Sequence, residues 1–134
     1  MEKGKCLCGG VSFTAEVADH GFHACHCRIC RAWSSSPLFA VAVEKIEFKG
    51  EDKIALYSSS DWAERGFCKD CGSSLFYRLK EADHYIVCCG LFEDQSRFEM
   101  TGEIYADEQP AGYAFAGDHP RLTGEEFLAS MHNP

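Results

Sequence analysis

Seven of the nine cysteines in this 134-residue chain fall in three short clusters. The clusters are Cys6-Leu7-Cys8, Cys25-His26-Cys27-Arg28-Ile29-Cys30 and Cys68-Lys69-Asp70-Cys71. Thiols grouped this closely either form disulfides or hold metal, and each choice dictates a different kind of fold. An odd count and a hydrophobic content of 46% argue against a small disulfide-stapled scaffold and for an ordinary core. The opening residues Met1 to Cys6 carry no apolar signal core, so the expected compartment is the cytoplasm, where thiols stay reduced and free to ligate. No apolar stretch approaches the ~18 residues of a membrane span, so no membrane partner is expected. The formal charge is −8, and it reaches about −11 if seven thiolates hold two zinc ions. A chain this acidic is repelled by phosphate backbones, so nucleic acid is not an expected partner.

The organisation reads as one mainly β domain over residues 1–134. Val11 to Val17 alternates apolar and polar residues, as a half-buried strand does. Further strands are expected over Leu38 to Val43, Lys53 to Ser58, Ser74 to Leu79, Tyr85 to Cys89 and Glu103 to Tyr105. Helix signals are few. Thr123-Gly124-Glu125-Glu126 ahead of Phe127, Leu128 and Met131 has the form of a capping box, and a short helical turn is expected around Arg28 to Trp33. The acidic residues crowded into positions 91–134, Glu103 among them, read as a solvated face.

In Cys6-Leu7-Cys8-Gly9-Gly10 the two sulfurs converge only if the chain bends, and the glycines permit that bend. Cys68-Lys69-Asp70-Cys71-Gly72 has the spacing and trailing glycine of a zinc knuckle. Together the two offer four thiolates, enough for a closed tetrahedral site that would tie the N-terminal strand to the middle of the domain. The middle cluster offers three, Cys25, Cys27 and Cys30, and three protein ligands leave one position on a zinc ion open to water or substrate. Other partitions remain open, including a closed Cys₃His site completed by His26 or His23. Neighbouring side chains on an extended segment diverge, so His26 reads more readily as a supporting donor or a surface residue. Cys88 and Cys89 sit in a buried-strand pattern, face opposite sides and read as core packing. His84, His119 and His132 lack ligand spacing and read as surface residues.

With these clusters in order, the chain resembles the glutathione-dependent formaldehyde-activating (GFA) family, also called the CENP-V/GFA domain family. The resemblance rests on Cys6-Leu7-Cys8-Gly9, Cys25-His26-Cys27-Arg28-Ile29-Cys30-Arg31 and Phe67-Cys68-Lys69-Asp70-Cys71-Gly72-Ser73-Ser74-Leu75-Phe76, and it spans about residues 4–115. It implies a zinc-stabilised β-tent with two zinc ions per chain. By motif position, Cys6, Cys8, Cys68 and Cys71 would hold a structural zinc, and Cys25, Cys27 and Cys30 a catalytic one. It also implies glutathione as the thiol, formaldehyde as the aldehyde, and carbon–sulfur lyase chemistry. Trp33 stands where many relatives carry small residues, and Cys88 and Cys89 replace small apolar ones.

On this reading a thiol bound as the fourth sulfur stays electron-rich and attacks the aldehyde carbon. Arg28 and Arg31, beside the ligands, are the expected contacts for a glutathione carboxylate or for the site's surplus charge, with Arg65 a weaker candidate. By base rates each of the three arginines is more often a surface residue. The competing reading is a non-catalytic two-zinc module that binds thiols or partners, or one whose middle site surrenders its metal to a competing thiol.

Overall fold

The computed structural model describes residues 1–132, and of His132 only the backbone. Ten strands run in chain order: β1 (Glu2–Lys5), β2 (Ser12–Glu16), β3 (Gly21–Cys25), β4 (Leu38–Ala42), β5 (Lys45–Lys49), β6 (Ile54–Ser58), β7 (Ala63–Cys68), β8 (Ser74–Leu79), β9 (His84–Cys88) and β10 (Glu99–Ile104). Two α-helices, α1 (Arg28–Ser34) and α2 (Gly124–His132), join them. The mainly β expectation holds, and each predicted strand overlaps an observed one. Among the described residues, no helix is long and apolar enough to cross a membrane.

The strands form a three-stranded sheet in the order β1-β2-β5 and a seven-stranded sheet in the order β10-β3-β4-β9-β8-β7-β6. Pairing is antiparallel except between β10 and β3. The central strands of the large sheet alternate sides, so each feeds two cores. Val41 of β4, Val43 just after it and Val87 of β9 pack with Val11, Phe13 and Ala15 into the layer between the sheets. Leu38 and Ala40 of β4, with Ile86 and Cys88 of β9, face away from the small sheet into a second cluster. Cys88 and Cys89 accordingly divide between the two cores, as their adjacency predicts.

Four strands have no counterpart among the predicted ones: β1, β3, β5 and β7. For β5 the signal is present, since Ile46 and Phe48 alternate with Lys45, Glu47 and Lys49 and pack against the inter-sheet core. The other three carry polar or small residues inward. Glu2 of β1 is buried, with Arg97 Nη1 at 3.1 Å and His20 Nε2 at 3.3 Å from its carboxylate. Gly66 of β7 lies under the ring of Phe76, with no room for a side chain.

The helices form as expected. Glu126 N donates to Thr123 Oγ1 at 3.1 Å and Thr123 N to Glu126 Oε1 at 2.9 Å, the reciprocal bonds of a capping box at the start of α2. Helix α1 is capped by Cys27, whose Sγ accepts from Cys30 N at 3.3 Å.

Candidate active site and metal centres

The first and third cysteine motifs meet where the two sheets join. Cys6 and Cys8 follow β1 of the small sheet, and Cys68 ends β7 of the large one. Each motif turns through a glycine in the left-handed region, Gly9 at φ +79° and Gly72 at φ +77°, where a side chain would strain the backbone. The four sulfurs lie within 4.8 Å of one another. Cys6 and Cys8 are 3.6 Å apart and Cys8 and Cys68 3.8 Å. A tetrahedron of thiolates at zinc–sulfur distance has edges of about 3.8 Å, so the donor set fits zinc in number, chemistry and spacing. Val11 N donates to Cys6 Sγ at 3.3 Å and Gly10 N to Cys8 Sγ at 3.4 Å, as the knuckle turns require. The Ser73 hydroxyl, 3.2 Å from Cys71 Sγ, brings that thiol down to about 5. Gly10 N–H also lowers Cys8, but the neighbouring thiols of Cys6 and Cys71 outweigh it and push Cys8 up to about 11. Four crowded sulfurs cannot all ionise on these few donors. A divalent cation among them would allow it.

The middle motif lies on the other side of the large sheet. Cys25 ends β3, Cys27 caps α1 and Cys30 sits in its first turn, and their three sulfurs lie within 4.8 Å of one another. Hydrogen bonds from Cys25 and Cys30, with the nearby charge of Arg65, hold Cys27 far below the ordinary thiol range. The same bonds, seen from Cys25, drive that thiol up. Of the three thiols, Cys27 is thus the one favoured to ionise, with the other two donating to it.

Arg65, rather than Arg28 or Arg31, is the cation that touches these sulfurs. It projects from β7 and is only 6% exposed; its Nη1 donates to Cys30 Sγ at 3.4 Å. Its guanidinium lies 5.0 Å from the ring centroid of Trp33 and 5.1 Å from that of Tyr77. Its Nε is buried without a partner. The base-rate expectation of a surface arginine fails here because two aromatic faces and the Cys30 sulfur replace part of the water that the charge gives up. Arg28 is exposed and lines the cavity described below, while its backbone N–H is held by Glu108 Oε1 at 3.0 Å. Arg31 Nε donates to the carbonyl of His26 at 2.8 Å, and its side chain is not among the cavity's lining residues.

His26 is neither a ligand nor a surface residue. It is fully buried, with Nε2 2.7 Å from Glu103 Oε1 and Nδ1 2.8 Å from Tyr113 Oη. An ionised carboxylate only accepts, so Nε2 carries the proton and the Tyr113 hydroxyl donates to Nδ1. Both ring nitrogens are therefore engaged away from the sulfurs. The three-sulfur cluster includes no histidine among the described residues. His23 is exposed and reaches only the cavity wall.

Glu103, read from sequence as part of a solvated face, is 1% exposed. Its other oxygen accepts from His119 Nε2 at 2.6 Å and Arg121 Nε at 2.8 Å. Burial alone would raise its carboxyl, but hydrogen bonds from His119 and His26 and the charge of Arg121 hold it below the usual range. His119 is correspondingly packed, its side chain 9% exposed, rather than a surface residue. The side chain of His132 lies outside the described residues. The network escaped sequence reasoning because its members, at positions 26, 103, 113, 119 and 121, share no local spacing.

Between the large sheet and α2 lies a cavity of about 860 Å³. Cys25, Cys27, Cys30, Arg65 and Tyr77 line it, and none of Cys6, Cys8, Cys68 and Cys71 does.

The model of the GFA family, described as glutathione-dependent formaldehyde-activating enzyme, matches residues 1–108. The chain belongs to this family. A Schizosaccharomyces pombe protein named "Uncharacterized lyase C29B12.13" is 30% identical over 131 residues, covering 96% of each chain. A crystal structure of a Rhodobacter sphaeroides protein superposes with a TM-score of 0.59 at 20% identity, covering 89% of this chain and 98% of that one. That likeness carries the fold alone. This GFA chain keeps all three motifs, and the family match begins ahead of the first.

Proposed function

We propose that this chain is a zinc-dependent, lyase-type enzyme that joins a thiol such as glutathione to formaldehyde or a related aldehyde. It would act from a site on Cys25, Cys27 and Cys30, with Cys6, Cys8, Cys68 and Cys71 holding a second, structural zinc. One observation carries the reading: only the three-sulfur cluster opens onto the large cavity, whereas the four-sulfur cluster is complete in itself. Family membership and the lyase name of the yeast relative support the reaction class.

A zinc ion on the three thiolates would supply a fourth position that holds the substrate thiol deprotonated. The reaction is a redox-neutral addition. The thiol sulfur bonds to the aldehyde carbon, the carbon–oxygen π pair moves to oxygen, and the proton given up by the thiol ends there. The reverse step breaks the same carbon–sulfur bond. Arg65 offsets the negative charge of the sulfurs through its contact with Cys30. Arg28, at the cavity wall, is placed to meet a glutathione carboxylate.

The test is zinc per chain together with thiol–formaldehyde adduct exchange, for wild type and Cys27→Ser. The expected outcome is two zinc ions and accelerated exchange for wild type. Cys27→Ser should keep the far-ultraviolet spectrum, hold one zinc and lose the acceleration. Two zinc ions with no acceleration would replace the enzyme reading with a thiol-binding one. A single zinc in wild type would end the two-site reading.

A further inference from the structure

We infer that Tyr77 is a catalytic residue of the three-sulfur site: its hydroxyl donates the hydrogen bond that receives the aldehyde oxygen as the carbon–sulfur bond forms. The inference rests on the thiol–aldehyde reading of that site and deepens it by one residue.

Strand pairing puts Tyr77 where such a donor is needed. Tyr77 of β8 pairs with Arg65 of β7 on one side and with Ile86 of β9 on the other, and Ile86 pairs with Ala42 of β4. All four line the cavity, so they form one row across the large sheet on its cavity face. Arg65 links that row to the sulfurs. Its guanidinium carbon lies 5.1 Å from the centroid of the Tyr77 ring, while its Nη1 meets Cys30 Sγ at 3.4 Å. Tyr77 also packs against the apolar cluster that holds Cys25 and Cys30.

The second observation is an uncommitted hydroxyl. Among the described residues the Tyr77 hydroxyl has no hydrogen-bond partner, and Arg65 Nε is the only buried side-chain polar atom left alone. The hydroxyl is therefore not sealed into the wall, and it opens into the cavity that Tyr77 lines. Tyr113 gives the contrast, its hydroxyl committed to His26 Nδ1 at 2.8 Å. Desolvation and the negative charge of Cys25 and Cys30 hold the Tyr77 phenol above its ordinary value of about 10, so at neutral pH it is a donor.

The reaction needs a donor of this kind. When the thiol sulfur bonds to the aldehyde carbon, the carbon–oxygen π pair moves to oxygen, two bonds from the sulfur. Negative charge develops there beside sulfurs that are themselves negative. A fixed hydrogen-bond donor stabilises that oxygen more in the transition state than in the free aldehyde. Tyr77 keeps its own proton. The proton released by the thiol ends on the oxygen, and nothing is oxidised or reduced.

Other donors on the wall are placed differently. Arg65 uses Nη1 on Cys30, and its Nε is buried. Tyr105, a second phenol lining the cavity, is turned toward α2. Its ring covers Gly124 so closely that a side chain there would not fit, and it packs 6.1 Å from the ring of Phe127.

The test is Tyr77→Phe in the zinc-loaded protein, which keeps the ring beside Arg65 and removes only the hydroxyl. The variant should hold two zinc ions and keep the KM for glutathione, while kcat for thiol–formaldehyde exchange falls about a hundredfold. Tyr105→Phe should keep most of kcat. Binding gives a readout without turnover. S-acetylglutathione and S-ethylglutathione are alike in size, but only the first carries an oxygen on the carbon bonded to sulfur. Wild type should prefer the acetyl probe by about fivefold, the yield of one hydrogen bond, as read by the fluorescence of Trp33 and Trp62. Tyr77→Phe should lose that preference.

Retention of either the rate or the probe preference in Tyr77→Phe would overturn the assignment and leave the thiol–aldehyde reading standing. So would a rate lost together with a zinc ion, which would make Tyr77 a support of the metal site, or a larger loss in Tyr105→Phe. No acceleration by wild type holding two zinc ions would overturn the thiol–aldehyde reading, and the role of Tyr77 with it.

Discussion

Replacing Glu103 by alanine should destabilise the protein by about 2–4 kcal/mol, the consequence of stranding two buried hydrogen-bond donors at once. The magnitude follows from what Glu103 touches. His26 is completely buried, and removing the carboxylate leaves its Nε2–H without an acceptor in a place water does not reach. A stranded buried donor of this kind costs about 1–3 kcal/mol. His119, almost as buried, loses its 2.6 Å partner as well. Arg121 is 41% exposed and turns back to solvent, so its loss contributes little. The assay is urea denaturation of zinc-saturated wild type and variant, followed by circular dichroism, with the slope unchanged between them. A loss below about 1 kcal/mol would show that the network is not the anchor described here. Glu103→Gln tests the sign of the charge contribution. The folded carboxyl is held below its ordinary range, so its contribution is fully present above the unfolded pKa and disappears as pH falls through the lower, folded one. The gap between wild type and Glu103→Gln should therefore persist from pH 7 to about 5 and close only in more acid solution. Because Cys25 and His26 pair with Ile104, next to Glu103, a weakened network should also release metal from the three-sulfur cluster before the four-sulfur one.

Arg65→Met keeps the length of the side chain over Trp33 and Tyr77 but removes the charge beside Cys30. It should weaken metal retention at the three-sulfur site about tenfold, as read by competition with a chromogenic chelator, and leave the fold intact, since the unpartnered Nε–H goes with it. Unchanged retention would show that the guanidinium does not stabilise the thiolates. Gly66→Ala should cost about 1–3 kcal/mol by denaturant titration, because the new methyl runs into the buried ring of Phe76. A neutral outcome would mean that Phe76 has room to turn.

Much of the site was legible because metal chemistry writes itself locally. Two cysteines separated by one or two residues, followed by a glycine, announce a knuckle wherever the knuckle ends up. The partition into four and three sulfurs is what the structure shows, and Cys88 and Cys89 divide between two cores, Cys88 as the last residue of β9 and Cys89 in the turn that follows it. The capping box at Thr123 is equally local. Where apolar residues alternated, as in β2, β4 and β8, strands could be read directly. Where the inward residue was Glu2, Arg65 or Gly66, they could not, because patterning registers hydrophobicity and these positions are buried for other reasons.

The sequence by itself thus determined a small, mainly β protein with two unequal sulfur sets whose residues could hold metal. Which set faces a cavity was decided only by tertiary structure, through the side of the large sheet that each motif occupies. Tertiary structure also decided which arginine touches the sulfurs. Arg28 and Arg31 are neighbours of the ligands in sequence, but α1 directs one to the cavity wall and ties the other to a backbone carbonyl. Arg65 arrives from β7, thirty-five positions beyond Cys30, and pairing between strands brings it there. The same holds for Glu103 and His26, seventy-seven positions apart. A buried charge is held by partners gathered from across the fold, and no local pattern in a chain records where such partners will meet.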